Sequence, residues 1–120
     1  MLAAVGRDDT TREAESMAQK LLKFKMWDSW KKSVKDIDGE VLCVSQFTLL
    51  ASTKKGNKPD FHKSASGDKA REIYDHFFTT VQSQYQVDRV KDGRYGAMMD
   101  VELINDGPVY DMHYCDVVCC

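Results

Sequence analysis

Two stretches of the chain repeat apolar residues at helical spacing. The first follows Thr10, and Thr10 with Glu13 forms the Thr-x-x-Glu pattern of a helix start. The second begins near Ser66 or Asp68 and has an aromatic stripe, which predicts core packing rather than base stacking. The two stripes consist of Ala14, Met17, Ala18, Leu21 and Leu22, and of Ala70, Ile73, Tyr74, Phe77, Phe78, Val81 and Tyr85. The spacing therefore predicts two helices, each with one buried face.

Strand patterns lie between and after these helices. Residues 40–50 are almost continuously apolar through their first half, which predicts a central strand covered on both faces, entered by a turn at residues 38–39. Apolar and charged residues alternate over residues 99–103, and a second apolar stretch covers 109–115, which predicts two strands joined by a turn. The order helix, strand, helix, strands predicts a single mixed α/β domain over residues 1–120.

The stretch between the first helix and the central strand contains both tryptophans. We interpret Trp27 and Trp30 as core or rim anchors in preference to a platform for a ligand. Residues 52–69 are rich in Gly, Pro, Asn and Ser, which predicts a loop before the second helix.

The net charge of the chain limits how it can bind a polyanion. With 17 basic and 19 acidic residues the net charge is -2, which excludes a globally basic surface, so a polyanion must meet a local patch. One patch lies between residues 54 and 63 of the 52–69 loop, where the backbone N–H groups of Gly56 and Asn57 accompany four lysines and one acid, Asp60. The lysines are Lys54, Lys55, Lys58 and Lys63. The pattern fits a phosphate-binding loop or an ordinary solvated charge run.

Cellular location and cysteine chemistry give simpler expectations. No window of 18 apolar residues occurs, and the N-terminal apolar run is too short for a secretory signal, so we expect a cytoplasmic protein without a membrane segment. The four cysteines have no paired C-x-x-C spacing, and we expect free thiols, no cofactor and no bound metal, although His113 and Cys115 have the chemistry of ligands.

The sequence contains no complete motif for catalysis by side chains. Ser45 with His62 and Asp60 supplies the residue types of a hydroxyl triad. Thr48 offers the same chemistry as Ser45, but the G-x-S-x-G elbow is absent, as are phosphate-binding and dinucleotide motifs. The polar residues Ser45, Gln46 and Thr48 interrupt the apolar run near its end, where they need either a ligand or hydrogen bonds with neighbouring loops.

A Gly-Pro pair, Gly107 and Pro108, is the other candidate for chemistry. A Gly-Pro bond can be cis, an isomer rare enough to have a purpose when it occurs, and glycine lets a ligand approach the main chain closely. The alternative is a plain hairpin turn, which Asp106 followed by Gly107 signals by itself.

Six segments follow one another in a recognisable order. They are Gly6-Arg7-Asp8-Asp9-Thr10, Ser33-Val34-Lys35-Asp36, Ser45-Gln46-Phe47-Thr48-Leu49, Lys55-Gly56-Asn57-Lys58-Pro59-Asp60-Phe61-His62, Lys91-Asp92-Gly93-Arg94-Tyr95-Gly96 and Asn105-Asp106-Gly107-Pro108-Val109. In this order they resemble the D-aminoacyl-tRNA deacylase family, closest to its eukaryotic members, and the resemblance extends over residues 5–109.

The resemblance implies a fold and an activity. The fold is a mixed sheet curled into an open, barrel-like layer with two helices packed on it. The activity is that of a homodimeric enzyme without a cofactor, which hydrolyses the ester of D-aminoacyl-tRNA and removes glycine from mischarged tRNA. The pocket combines Ser45, Gln46, Phe47 and Thr48 of one subunit with Gly107 and Pro108 of the other. Phe47, Tyr95 and Met99 surround the terminal adenine.

General chemistry agrees with that assignment. A cis Gly-Pro unit turns two carbonyl oxygens toward the substrate's ammonium group. The side chain of an L-amino acid would then collide with the main chain, whereas glycine, which has no side chain, would fit. Main-chain N–H groups near Phe47 and Thr48 are placed to stabilise an oxyanion, and the family is thought to use the 2′-hydroxyl of the tRNA to activate water. In this assignment the four lysines contact phosphates of the tRNA acceptor stem and do not read its base sequence.

The chain departs from the family pattern at both ends. Family members begin with two further strands, whereas this chain opens just before Gly6, which predicts an exposed sheet edge and a lost cross-subunit contact. The usual threonine after Gly-Pro-Val is Tyr110, and the tail over residues 111–120 is atypical. The alternative to an active deacylase is therefore a non-catalytic dimer or nucleic-acid-binding remnant of the family.

Overall fold

Two helices form in the computed structural model, which describes residues 1–106, 113–114 and 118–119. Helix α1 (Thr11–Lys23) begins at Thr10, whose hydroxyl accepts the Arg12 N–H while Glu13 accepts the Thr10 N–H at 2.9 Å. These bonds form the predicted capping box, and the hydrogen bonds from Thr10 lower the pKa of Glu13. Helix α2 (Gly67–Gln84) begins after Ser66. Both predicted helices are confirmed.

In the described part of the chain, seven short strands form two sheets. Their bounds are β1 (Leu2–Ala4), β2 (Lys25–Trp27), β3 (Lys32–Ser33), β4 (Val41–Ser45), β5 (Val90–Asp92), β6 (His113–Tyr114) and β7 (Val118–Cys119). The larger sheet has the order β5-β4-β1-β7-β6, with β4 parallel to both β1 and β5 and with β7 antiparallel to β1. Strands β2 and β3 form a separate antiparallel hairpin. The mixed α/β class is confirmed, and the curl into an open barrel stays a prediction.

The core lies where α1 and α2 pack on each other and on the larger sheet. Its buried members come from both predicted helical stripes and from the strands; they include Ala3, Ala14, Met17, Ala18, Leu22, Val41, Cys43, Ile73, Tyr74, Phe77, Val81 and Val90. Burial raises the pKa of the Cys43 thiol to about 12, so this cysteine stays protonated at neutral pH. The hydroxyl of Tyr74 donates to the Asp92 carboxylate at 2.5 Å, which satisfies a polar group inside the core.

The central strand differs from its prediction in length and in burial. It ends at Ser45, and residues Phe47–Leu50 form a 3₁₀ helix instead of continuing the strand. The strand has neighbours on both sides in the sheet, but the described residues do not cover its two faces equally, because Val41 and Cys43 are buried while Leu42 is 52% exposed. An apolar strand is buried on both faces only when the fold places other elements over each face.

One further prediction is wrong. Residues 99–103 form no strand, and their apolar members Met99, Val101 and Leu103 are exposed, so alternation alone did not indicate a ladder there. Of the two positions predicted for the tryptophans, the core is excluded, because Trp27 and Trp30 are 37% and 62% exposed on the hairpin of β2 and β3, and the role of rim anchors stays a prediction.

The ends of the chain meet in the larger sheet. Strand β1, which the apolar pattern was too short to reveal, pairs with β4 on one side and with β7 on the other. The edge expected beside the N-terminal segment is therefore paired with β7, and β6 extends the sheet beyond β7. Most of the predicted strand over 109–115 lies outside the described residues.

Membrane insertion can be checked for the described part of the chain. Within residues 1–106, 113–114 and 118–119, no helix combines the length and the apolar character needed to span a bilayer.

Candidate functional site

The predicted catalytic segment lies where β4 ends and the 3₁₀ helix begins. The Gln46 N–H donates to the Ala3 carbonyl at 2.7 Å, which ties the end of β4 to β1. The Gln46 amide donates to the Thr48 hydroxyl at 2.5 Å, and the side chain of Ser45 contacts that of Tyr95 through a hydrogen bond. The polar residues that interrupt the apolar run thus have partners within this site.

Main-chain donors are present at the start of the 3₁₀ helix. Hydrogen bonds in such a helix connect residue i to residue i−3, and here the Leu49 N–H donates to the Gln46 carbonyl at 3.3 Å. The N–H groups of Phe47 and Thr48 precede this first bond, so the helix itself does not use them. They are adjacent donors on an exposed turn, which is the arrangement that stabilises a developing negative charge.

The ring of Phe47 is held by the following loop. Phe47 is 55% exposed, and its ring meets the edge of Phe61 with the centroids 5.0 Å apart. The Ser64 hydroxyl donates to the Phe47 carbonyl at 3.3 Å. The loop after the 3₁₀ helix therefore folds back and contacts the first residue of that helix.

Tyr95 lies beside the same end of β4. Its ring lies 5.5 Å from the Tyr74 ring, and the Arg71 guanidinium lies 5.4 Å from the Tyr95 centroid. Burial raises the pKa of Tyr95 above its ordinary value, so the hydroxyl stays protonated at neutral pH.

Met99 reaches this end of β4 as well, from the segment after β5. The Gly93 N–H donates to the Cys43 carbonyl at 2.8 Å, which continues the pairing of β5 with β4. A Cβ placed on Gly93 would lie 3.3 Å from the Val44 side chain and 3.4 Å from the Met99 methyl. Glycine at this position therefore leaves room for Met99 to lie against β4, and two predicted adenine-pocket residues, Tyr95 and Met99, are near the predicted catalytic segment.

The predicted phosphate loop is closed at its base and open at its tip. Ser52 and Asp60 exchange two main-chain hydrogen bonds, of 2.8 and 2.9 Å, and Gly56 at the tip has a φ of 133°, which favours glycine. The four predicted lysines, Lys54, Lys55, Lys58 and Lys63, are all exposed. Their ammonium groups are therefore accessible to an anion.

The single acid between residues 54 and 63 has partners within the loop. Asp60 accepts the His62 N–H at 2.9 Å and contacts the His62 ring nitrogen at 2.7 Å. These hydrogen bonds from His62 lower the pKa of Asp60. Ser45 and Thr48 bond instead to Tyr95 and Gln46, so the described contacts do not assemble a hydroxyl triad around His62.

Sequence reasoning missed the residues that fix this loop. The Arg7 guanidinium donates twice to the His62 carbonyl, at 2.6 and 3.1 Å, and the Arg7 N–H donates to the Lys63 carbonyl at 2.8 Å. The Lys69 ammonium donates to the Arg7 carbonyl at 2.5 Å. Arg7 belongs to one of the recognised segments, but nothing in its spacing indicated a partner 55 residues away.

Several predicted residues lie outside the described ones. They are Gly107, Pro108, Tyr110 and Cys115, together with Cys120. Within the described residues, no group of three His, Cys, Asp or Glu side chains is close enough to hold a metal ion.

Comparisons with known proteins show the family of the chain. The family model described as D-Tyr-tRNA(Tyr) deacylase matches residues 1–113. A D-aminoacyl-tRNA deacylase of Yarrowia lipolytica is 53% identical over 116 residues, which cover 91% of this chain and 75% of the relative. One of Dictyostelium discoideum is 43% identical over 114 residues, which cover 90% and 75%.

Solved structures share the fold of this chain. A c-Myc DNA unwinding element binding protein matches with a TM-score of 0.83 and 42% identity over 90% of this chain and 75% of the other. A probable eukaryotic D-amino acid tRNA deacylase matches in fold, with a TM-score of 0.69 and 20% identity over 88% and 77%. By its sequence matches this chain belongs to the D-Tyr-tRNA(Tyr) deacylase family.

Proposed function

We propose that this protein hydrolyses the ester bond of D-aminoacyl-tRNA, releasing free tRNA and the D-amino acid. The observation that carries the proposal is the family match across residues 1–113. Relatives with 40% identity or more over nine tenths of this chain carry the name D-aminoacyl-tRNA deacylase. In the reaction water adds to the acyl carbon, the ester C–O bond breaks, and the proton passes to the terminal ribose oxygen.

The start of the 3₁₀ helix supports this chemistry. The N–H groups of Phe47 and Thr48 would stabilise the oxyanion of the tetrahedral intermediate, and one such donor contributes roughly 3 to 4 kcal/mol. No side-chain base is needed in our proposal, because the 2′-hydroxyl of the tRNA activates the water. The local pairing of His62 with Asp60 is consistent with this division of roles.

The adenine of the tRNA terminus would bind beside the catalytic segment. Phe47 offers an exposed ring, and Tyr95 and Met99 lie near the end of β4. Aromatic and thioether side chains suit a purine, because they contact its π-face without selecting one sequence.

Stereochemical selection is the finer part of the proposal. Main-chain carbonyls at Gly107 and Pro108, supplied by the second subunit of a homodimer, would hold the substrate's ammonium group. An L side chain would collide with that main chain, while a D side chain and glycine would fit. Glycyl-tRNA is therefore a second proposed substrate, and the cytoplasm, where charged tRNAs are used, is the proposed location.

The lysine loop gives the first prediction. Replacing Lys55 and Lys58 together by alanine removes two exposed ammonium groups, so we expect weaker tRNA binding and a shallower salt dependence. The slope of log K against log salt is expected to change by about 0.9 per lost phosphate contact on a duplex stem. Filter binding at several salt concentrations measures it, with Lys91→Ala, an exposed lysine on β5, as the control. An unchanged slope would remove the loop from the interface.

A second candidate function is nucleic-acid binding without hydrolysis. One observation favours it: a structural relative at 42% identity is named for binding a DNA unwinding element. Incubation with D-tyrosyl-tRNA separates the two candidates. Loss of the ester supports the deacylase, while retention of tRNA on a filter with the ester intact supports binding alone.

A further inference from the structure

Both tryptophans of the chain lie on one hairpin and face solvent. The chain contains two tryptophans, and these are Trp27 at the end of β2 and Trp30 in the turn before β3. They are 37% and 62% exposed, whereas tryptophan in folded proteins is on average highly buried. Neither residue takes part in the proposed catalytic site. Two exposed indole rings within four residues form a surface that the hydrolysis does not explain.

The backbone of the turn has an unusual conformation. Asp28, Ser29 and Trp30 all have positive φ angles, of 53°, 54° and 67°. Residues other than glycine adopt this region mostly one at a time, and such strain concentrates at functional segments. The Lys31 N–H donates to the Trp27 carbonyl at 3.0 Å and closes the turn. The turn thus keeps a bulky residue, Trp30, in a strained backbone conformation and in solvent.

The hairpin is also strongly basic. Between residues 23 and 33 the chain has one acid, Asp28, and four exposed lysines. The lysines are Lys23, Lys25, Lys31 and Lys32. Lys32 is the register partner of Trp27, so these two residues are neighbours across the hairpin, and the register shifts between Lys25 and Trp27. Asp28 lies 3.5 Å from Lys32, and Asp36, which follows the hairpin, also attracts Lys25 and Lys32. These two carboxylates leave the four lysines with an excess of positive charge.

We propose that this tryptophan hairpin, residues 23–33, binds single-stranded nucleic acid. The indole rings of Trp27 and Trp30 stack on unpaired bases, and the lysines contact the phosphates between them. Exposed aromatics interleaved with lysines are the combination that binds single strands with little sequence preference. The site goes beyond the hydrolysis of the ester and does not depend on it.

A second copy of the chain fits the same surface less well. A two-fold symmetric contact places a patch against itself, which would bring the four lysines of one hairpin close to those of the other. Like charges facing each other are destabilising, and one aspartate per hairpin does not compensate for four lysines. A polyanion matches both the charge and the rings of the surface.

Tryptophan fluorescence tests the proposal on the intact chain. Because the hairpin contains both tryptophans, the emission reports on this surface alone. Titration with a 12-nucleotide oligouridylate is expected to quench the emission, and a duplex of the same length is expected to quench it far less. Trp30→Ala is expected to weaken binding about tenfold, since one stacked base contributes about that much. Lys25→Ala with Lys31→Ala is expected to lower the salt slope by about 1.4.

Matched variants separate this site from the catalytic one. Lys55→Ala with Lys58→Ala is expected to leave the quenching unchanged, and Trp30→Ala is expected to leave hydrolysis of a minimal aminoacyl-adenosine substrate unchanged. Absence of quenching, equal quenching by the duplex, or full binding by Trp30→Ala would overturn the proposal. So would concentration-dependent self-association that Trp30→Ala abolishes, because the surface would then bind a second copy.

Discussion

Phe47→Pro is expected to hydrolyse D-tyrosyl-tRNA with a kcat about 10²- to 10³-fold below that of Phe47→Ala, the effect of losing one oxyanion donor. Both variants lack the aromatic ring, and only proline lacks the main-chain N–H. Proline suits the first position of a helix, and Gln46 before it lies outside the α region that proline disfavours, with a φ of -147° and a ψ of 83°. The difference between the two variants therefore isolates the N–H group.

Folding of these two variants is checked by thermal unfolding. Phe47 is 55% exposed, so we expect both midpoints to stay within a few degrees of the unaltered protein, about the effect of an ordinary surface change. Single-turnover kinetics then measures the chemical step. Equal rates for the proline and alanine variants, both well folded, would place the oxyanion elsewhere.

Phe77→Ala is expected to lower the free energy of unfolding by about 3 to 5 kcal/mol, the cost of a large cavity in a packed core. The Phe77 side chain is 1% exposed, and its ring lies 6.4 Å from the ring of Tyr74. Alanine at this position leaves a void beneath α2 that the neighbouring side chains fill only in part. The melting midpoint is expected to fall by about 10 to 20 °C in a chain of this size.

The matched control uses the same substitution on the surface. Phe47→Ala removes the same number of atoms from a half-exposed ring, and we expect it to cost about 1 kcal/mol or less. Urea unfolding followed by circular dichroism measures both values. A loss at Phe77 no greater than that at Phe47 would contradict the assignment of α2 to the core.

The helices were predictable because their signals are local. Thr10 and Glu13 make the capping box within the first turn, and the apolar spacing after them matches the face that is buried. Helix α2 begins at the predicted cap position, Ser66, and its predicted stripe supplies Ile73 and Phe77 to the core. Such features depend on neighbours three or four residues away, which the sequence itself contains.

The strands were less predictable because their partners are distant. Leu42 has the same apolar character as Val41, yet it is exposed, since one face of β4 has no layer over it among the described residues. Strand β1 has three residues, too few for a pattern, and it forms through pairing with β4 some forty residues later. Residues 99–103 alternate between apolar and charged, yet they pair with no strand among the described residues and form none themselves.

The sequence predicted only part of the candidate site, because some contacts of the site join residues that are distant in the chain. The resemblance identified Ser45 and Tyr95 separately, and the structure adds that their side chains share a hydrogen bond. It did not assign a role to Arg7, whose contacts with the His62 and Lys63 carbonyls hold the lysine loop. Long-range contacts of this kind leave no periodicity in the sequence.

Stereochemical selectivity tests the central claim most directly. The same tRNA is charged with D-tyrosine, with L-tyrosine and with glycine, and the rate of ester loss above the spontaneous rate is measured for each. We expect rapid release of D-tyrosine and of glycine and no enzymatic release of L-tyrosine, because only the L side chain collides with the main chain in the pocket. Equal hydrolysis of the D and L esters, or hydrolysis of neither by a folded protein that retains tRNA, would contradict the account.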